Sequence, residues 1–381
     1  MAKRPVFEEV PDQTATRPVA HTGMIDAAPK GARKAIRLWL MLLFVMVMAM
    51  IALGGATRLT GSGLSITEWA PVTGALPPMN EADWTREFQA YQQIPQFSEV
   101  NPDMDLAGFK QIYWWEWSHR LLGRLIGLVW AVGFLAFLAL RRVPTGWTPR
   151  LLGLGALGGL QGAIGWWMVS SGLGEGMTRV ASYRLATHLG IAFFILGLIT
   201  WYALLLGRSE AELLRARRAG EAKLFSMSTG LLHLALVQVL IGALVAGIDA
   251  GRQYTGWPTM GGEWIPATIW EGTLGWRNFF ENPALVQFIH RMTGYLLAIF
   301  AIVVWRRSRR SPHPVTRGAF NVMIVMLAVQ VGLGIMNVVH ASPLPLALVH
   351  QLGAIMLVSL IIRARFNARY PYETSVRGTI R

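Results

Sequence analysis

The sequence predicts an all-α polytopic membrane protein: eight transmembrane helices as two pseudo-symmetric four-helix bundles, N-in/C-in. Three observations predict it. Apolar runs of about 20 residues recur along the chain, each near the length a bilayer core requires. Basic residues gather in alternate loops. A set of short motifs occurs twice, in the same order, in the two halves of the chain.

Composition sets the class. Of 381 residues, 53% are hydrophobic and 15% charged, well below the roughly 25% charged residues of a soluble globule. The apolar runs lie at about 36–56, 119–140, 151–171, 184–206, 225–247, 286–305, 318–340 and 345–363. Residues 1–35 read as a polar, disordered cytoplasmic tail with no cleavable signal peptide. Residues 36–215 form the first predicted bundle, 216–365 the second, and 366–381 a cytoplasmic C-terminal tail.

Charge orients the spans. Arg33, Lys34 and Arg37 precede the first; Arg141, Arg142 and Arg150 follow the second. Arg215, Arg217, Arg218 and Lys223, then Arg306, Arg307, Arg309 and Arg310, and finally Arg363, Arg365 and Arg369 fall on the same side. The opposite loops carry Glu68, Glu81, Asp83, Glu87, Glu99, Asp103, Asp105, Asp249, Glu263, Glu271 and Glu281. The positive-inside rule puts the basic side in the cytoplasm. The net charge of +14 therefore encodes topology and not nucleic-acid binding.

The repeat divides the chain near residue 215. Glu68-Trp69-Ala70-Pro71 after span one answers to Glu263-Trp264-Ile265-Pro266 after span five. His119-Arg120-x-x-Gly123 and His290-Arg291-x-x-Gly294 open spans two and six. Gln161/Gly165 and Gln330/Gly334 mark spans three and seven, and His188/Ala192 and His350/Ala354 spans four and eight. Four spans per half give parallel repeats about an axis along the membrane normal.

With no cysteine, disulfides, thiolate metal sites, iron–sulfur clusters and thioether-linked haem are excluded. Of the eight histidines, His21 and His313 read as solvated, His340 as a loop or cap residue, and His233 as a packing residue. His119, His188, His290 and His350 share one depth near the outer ends of their spans. Each half offers a pair from its second and fourth helices, the arrangement of a bis-histidine haem site. Zinc would need further ligands that neither pair has. Gly123, Gly127, Gly294 and Ala298 leave room for a flat macrocycle; the same spacing also suits helix–helix contact. Arg120 and Arg291 suit a propionate or an interfacial anchor equally. Trp114, Trp115 and Trp117 read as an aromatic belt, and Gln161 and Gln330 as bridges between helices.

The halves differ three residues before the first histidine, where one has Glu116 and the other Gln287. A carboxylate at a membrane edge is expensive and marks function by default. Glutamine keeps the hydrogen bonding and cannot move a proton. The expectation is acid/base chemistry in the first half and a permanent redox cofactor in the second. The alternative is a plain pairing of Glu116 with Arg120 one turn on.

The stretch Gly54-Gly55-Ala56-Thr57-Arg58-Leu59-Thr60-Gly61-Ser62-Gly63-Leu64-Ser65, the Glu116-x-x-His119-Arg120 element, His188, Phe288-Ile289-His290-Arg291 and His350 together resemble the haem A synthase family. The resemblance runs from about 36 to 365 and is similar to the cysteine-free type of alphaproteobacteria and mitochondria. It implies haem O as substrate and oxidation of its C8 methyl to a formyl group by two hydroxylations, the second giving a gem-diol that loses water. By that resemblance His119 and His188 flank the substrate haem with Glu116 assisting, and His290 and His350 ligate a haem b, with Arg120 and Arg291 beside them. It implies membrane lipid surroundings, no nucleic acid, and a place in cytochrome oxidase assembly, with haem O synthase a chemically sensible partner; oligomeric state stays open. A bacterial inner membrane is expected over a mitochondrial one. A di-haem electron-transfer cytochrome and a haem carrier for oxidase assembly are the competing readings.

Overall fold

The computed structural model describes residues 30–174 and 176–372. Twelve α-helices occur among the described residues: α1 (Lys30–Leu59), α2 (Glu81–Gln92), α3 (Pro95–Val100), α4 (Leu106–Ala139), α5 (Thr148–Ser170), α6 (Ser182–Leu206), α7 (Glu210–Arg218), α8 (Ala222–Gly247), α9 (Asn278–Glu281), α10 (Pro283–Ser308), α11 (Pro314–Val339) and α12 (Leu344–Arg369). Eight of these, α1, α4, α5, α6, α8, α10, α11 and α12, are long and apolar enough to cross a membrane. The protein is therefore an all-α polytopic membrane protein. The expected N-terminal tail lies outside the described residues up to 29, and the C-terminal tail outside them from 373.

Local sequence signals fix the helix starts. Asp105 accepts a hydrogen bond from the Gly108 N–H at 2.8 Å and caps α4. Asn282 caps α10 by accepting from the N–H groups of Ala284 and Leu285. Both satisfy amide donors that have no partner within the helix. Proline stands in the first turn of α5, α10, α11 and α12, where its missing N–H costs nothing. Ser209 and Glu212 form a reciprocal capping box at α7, the short helix in which the boundary expected near 215 falls.

Several helices reach beyond their apolar runs, α4 the furthest. At 34 residues, α4 is about 51 Å long at 1.5 Å per residue, against a hydrocarbon core of about 30 Å. Its first 13 residues extend past the apolar run expected from 119. Phe109 and Tyr113 there pack with Trp84, Tyr91, Ile94 and Leu64 into a separate aromatic core. That core mounts α2 and α3 on the extended N-terminal end of α4. At the other end of the chain α12 continues to Arg369, with Phe366, Asn367 and Ala368 buried.

In the first half α1 packs on α4 and α6, and α5 on α4 and α6; in the second, α8 packs on α10 and α12, and α11 on α10 and α12. The halves meet where α6 touches α8 and α12, and where α1 touches α12. The main apolar core is shared across this seam, with Phe193 and Leu196 from one half against Phe320, Val358 and Ile361 from the other. Polar contacts tie the same seam. Arg58 at the end of α1 donates to the Gly247 carbonyl (2.9 Å) and pairs with Asp249 (3.2 Å), which Arg179 also reaches at 2.7 Å.

Candidate functional site

The four histidines expected to pair share a local geometry. Each imidazole rests against a glycine of the neighbouring helix, where any side chain would crowd it. A Cβ built on Gly54 of α1 would lie 2.8 Å from Cε1 of His119. On Gly165 of α5 it would lie 3.0 Å from Cε1 of His188, on Gly242 of α8 3.0 Å from that of His290, and on Gly334 of α11 3.1 Å from that of His350. Glycine is required at Gly54 for this close approach, and at the other three places a side chain would fit only if the imidazole shifted by a few tenths of an ångström. The rings are only partly buried, so they border space and do not fill a core.

Three of the histidines carry a glutamine clamp. The Gln161 side-chain amide of α5 donates to the His188 carbonyl at 2.9 Å and lies 3.2 Å from its Nδ1. Gln330 of α11 does the same to His350, at 2.9 and 3.2 Å. Gln238 of α8 does so to His290, at 2.9 and 3.1 Å, and is itself held by the Thr293 hydroxyl. Gln161 and Gln330 thus bridge helices as expected, and they do so at the histidines. Gln238 was not singled out by the sequence. Its signal was the same Gln-x-x-x-Gly spacing, displaced from the third helix of the repeat to the first. His119 has no such clamp, and its Nδ1 is buried without a hydrogen-bond partner.

Glu116 is buried on α4, already inside the helix and not in a loop. Arg120 donates to its Oε1 through Nε (3.0 Å) and Nη2 (2.6 Å), while the Ser65 hydroxyl (2.8 Å) and the Ile66 N–H (2.9 Å) donate to Oε2. Arg120 also holds the outer loop through the carbonyls of Ile66 and Glu68, and Arg124 holds it through Ala70 and Pro71. In the second half Gln287 donates to the Tyr254 carbonyl, and Arg291 to those of Tyr254 and Thr259. Both arginines therefore anchor loops. Oε1 of Gln287 is left without a partner, and no carboxylate stands there.

Of the two parts open to the small residues on the histidine helices, Gly123 and Gly294 serve helix contact. Gly123 admits Met50, whose Cε a Cβ there would meet at 3.0 Å, and Gly294 admits Gln238 at 3.3 Å. These are helix contacts; only Gly127 faces open space. His233 and His340 bond the carbonyls of Thr229 and Met336 on their own helices, as packing and capping residues do. Trp114 and Trp115 are exposed, and Trp114 packs edge-on against Trp84 and Trp117. Among the described residues no three His, Cys, Asp or Glu side chains converge as a metal site.

Comparison with known proteins agrees with this architecture. Residues 37–362 match the COX15-CtaA family, described as cytochrome oxidase assembly protein. The chain is 78% identical over 381 residues, the whole of both chains, to "Heme A synthase" of Paracoccus denitrificans. It is 60% identical over 380 residues to that of Roseobacter denitrificans, covering 99% of this chain and 100% of the relative. To that of Cereibacter sphaeroides strain ATCC 17029 it is 55% identical over 388 aligned positions, covering 99% of each. Eight apolar helices and relatives of this kind fit a multi-pass protein of a bacterial inner membrane. The chain belongs to the COX15-CtaA family of cytochrome oxidase assembly proteins.

Proposed function

We propose that this protein is a haem A synthase, an oxidoreductase that converts the C8 methyl of haem O to a formyl group by successive hydroxylation. Full-length identity of 78% to a relative of that name is the observation that carries the activity. The two halves form pseudo-symmetric four-helix bundles, and both termini face the cytoplasm. The matching helix contacts in each half support the first statement and the basic loops support the second.

The residues present fit a haem in each half. Two imidazoles per site, each braced on a glycine and bordering space, suit a planar group whose porphyrin supplies the remaining ligands. The buried Nδ1 of His119 and the buried Oε1 atoms of Gln161 and Gln330 have no protein partner. Unpartnered buried polar atoms beside the histidines are what a site emptied of a polar-edged group leaves behind. We assign His290 and His350 to a resident haem b, and His119 and His188 to the substrate haem O. A bound haem b supplies one-electron transfer.

Glu116 carries the difference between the halves. Its carboxylate is oriented by four donors, of which the Ser65 hydroxyl alone both gives and takes a proton with little rearrangement. Arg120 fixes the carboxylate in place and holds the outer loop over the site. Gln287 performs the same loop anchoring without acid/base capacity. A plain electron-transfer cytochrome needs no such asymmetry, and a carrier needs no second, permanent haem.

Haem analysis of bacteria that make haem O tests the activity. Cells lacking this chain accumulate haem O without haem A, and its expression restores haem A. Haem A at the same level in both strains overturns the assignment. A physical complex with haem O synthase or with oxidase assembly would serve transfer of a hydrophobic, reactive product, and co-purification tests it.

A further inference from the structure

Each candidate ligand rests on a glycine, and four residues before three of those glycines stands the glutamine that clamps the histidine: Gln161 before Gly165, Gln238 before Gly242, Gln330 before Gly334. Four residues before the remaining glycine, Gly54, stands Met50. The positions are equivalent in space as well as in spacing. Met50 fills the room above Gly123, four residues after His119, as Gln238 fills the room above Gly294, four residues after His290. Methionine and glutamine have similar length and bulk, so the packing is kept. What is lost is the carboxamide, since a thioether donates no hydrogen bond and accepts weakly. His119 is accordingly the histidine whose buried Nδ1 has no partner.

We propose that Met50 is a positioning residue that leaves His119 less firmly held than His188, His290 and His350, which glutamines lock, so that a haem bound in the N-terminal site would have one histidine able to give way. The inference rests on the haem-site reading above. Each glutamine nitrogen donates to the backbone carbonyl of its histidine and lies against the imidazole ring, which restrains both the backbone and the ring. A site that only holds a redox group is served by two locked ligands. A site that had to admit a co-reactant would be served by one histidine held loosely, and the loosely held one here is the neighbour of Glu116.

Carbon monoxide binding to dithionite-reduced holoprotein, purified from cells making haem O, tests this separately from turnover. The wild type should carry both haems and bind the gas at the N-terminal site alone. Met50→Gln should keep both haems and weaken that binding by about tenfold, the worth of one ordinary hydrogen bond. Met50→Leu, which keeps the bulk and adds no clamp, should bind as the wild type does. Gln238→Met should newly open the C-terminal site to the gas, and it decides the matter where Met50→Gln fails to hold haem. Unchanged binding in a doubly loaded Met50→Gln protein, or no gain in Gln238→Met, overturns the inference alone. A wild type that holds a single haem overturns the site reading and the inference together.

Discussion

Arg120 grips Glu116 through two nitrogens of its guanidinium, at 3.0 and 2.6 Å, one helical turn from the residue it holds. The pair is largely withdrawn from solvent, with the two side chains 18% and 4% exposed. Breaking a buried pair on one side leaves an uncompensated charge, which costs about 3 kcal/mol or more. Arg120→Leu should therefore lower thermal stability in detergent, and the double variant Arg120→Leu/Glu116→Gln should recover a good part of the loss. A double variant no more stable than Arg120→Leu alone would show that the pair is not coupled.

The glycine seats predict selective loss of one haem at a time. Gly242→Val places branched bulk against His290, whose Cε1 lies 3.0 Å from a Cβ at that position. It should empty the C-terminal site and spare the N-terminal one. Gly165→Val should do the reverse through His188. Haem-to-protein ratio and the low-spin spectrum read this directly; full loading of both variants would contradict the seats.

Glu87, on α2 outside the membrane spans, has its carboxyl pushed above the usual range, first by burial and then by the nearby Glu68. The sign follows from linkage. A raised carboxyl contributes stability below its unfolded value and loses it as pH rises through the folded one. Glu87 is thus a net liability near neutrality. Glu87→Gln should raise the unfolding midpoint near pH 7 and leave it unchanged below about pH 4. An equal gain at both would point to something other than its charge.

Much of this was legible in the sequence, for identifiable reasons. Eight spans follow from hydropathy, and the shared depth of His119, His188, His290 and His350 follows from their place within those spans. The Glu116–Arg120 pairing follows from a separation of four on a helix. The outer extension of α4 was not legible, because its tryptophans and charges interrupt the apolar run and its stability comes from contact with α2. Ser65 and Ile66 lie about 50 residues from Glu116, a distance no local pattern spans. The glycine seats were missed for a related reason. The sequence draws attention to small residues on the histidine's own helix, whereas the seat belongs to the helix facing it.

The central claim is that Glu116 does the chemistry that Gln287 cannot. Its most direct measurement is pigment extraction from cells making wild-type protein or Glu116→Gln, with haem content of the purified proteins determined in parallel. Cells making Glu116→Gln should yield a protein that binds both haems, accumulate haem O and contain little or no haem A. Normal haem A from a fully loaded Glu116→Gln protein would contradict it.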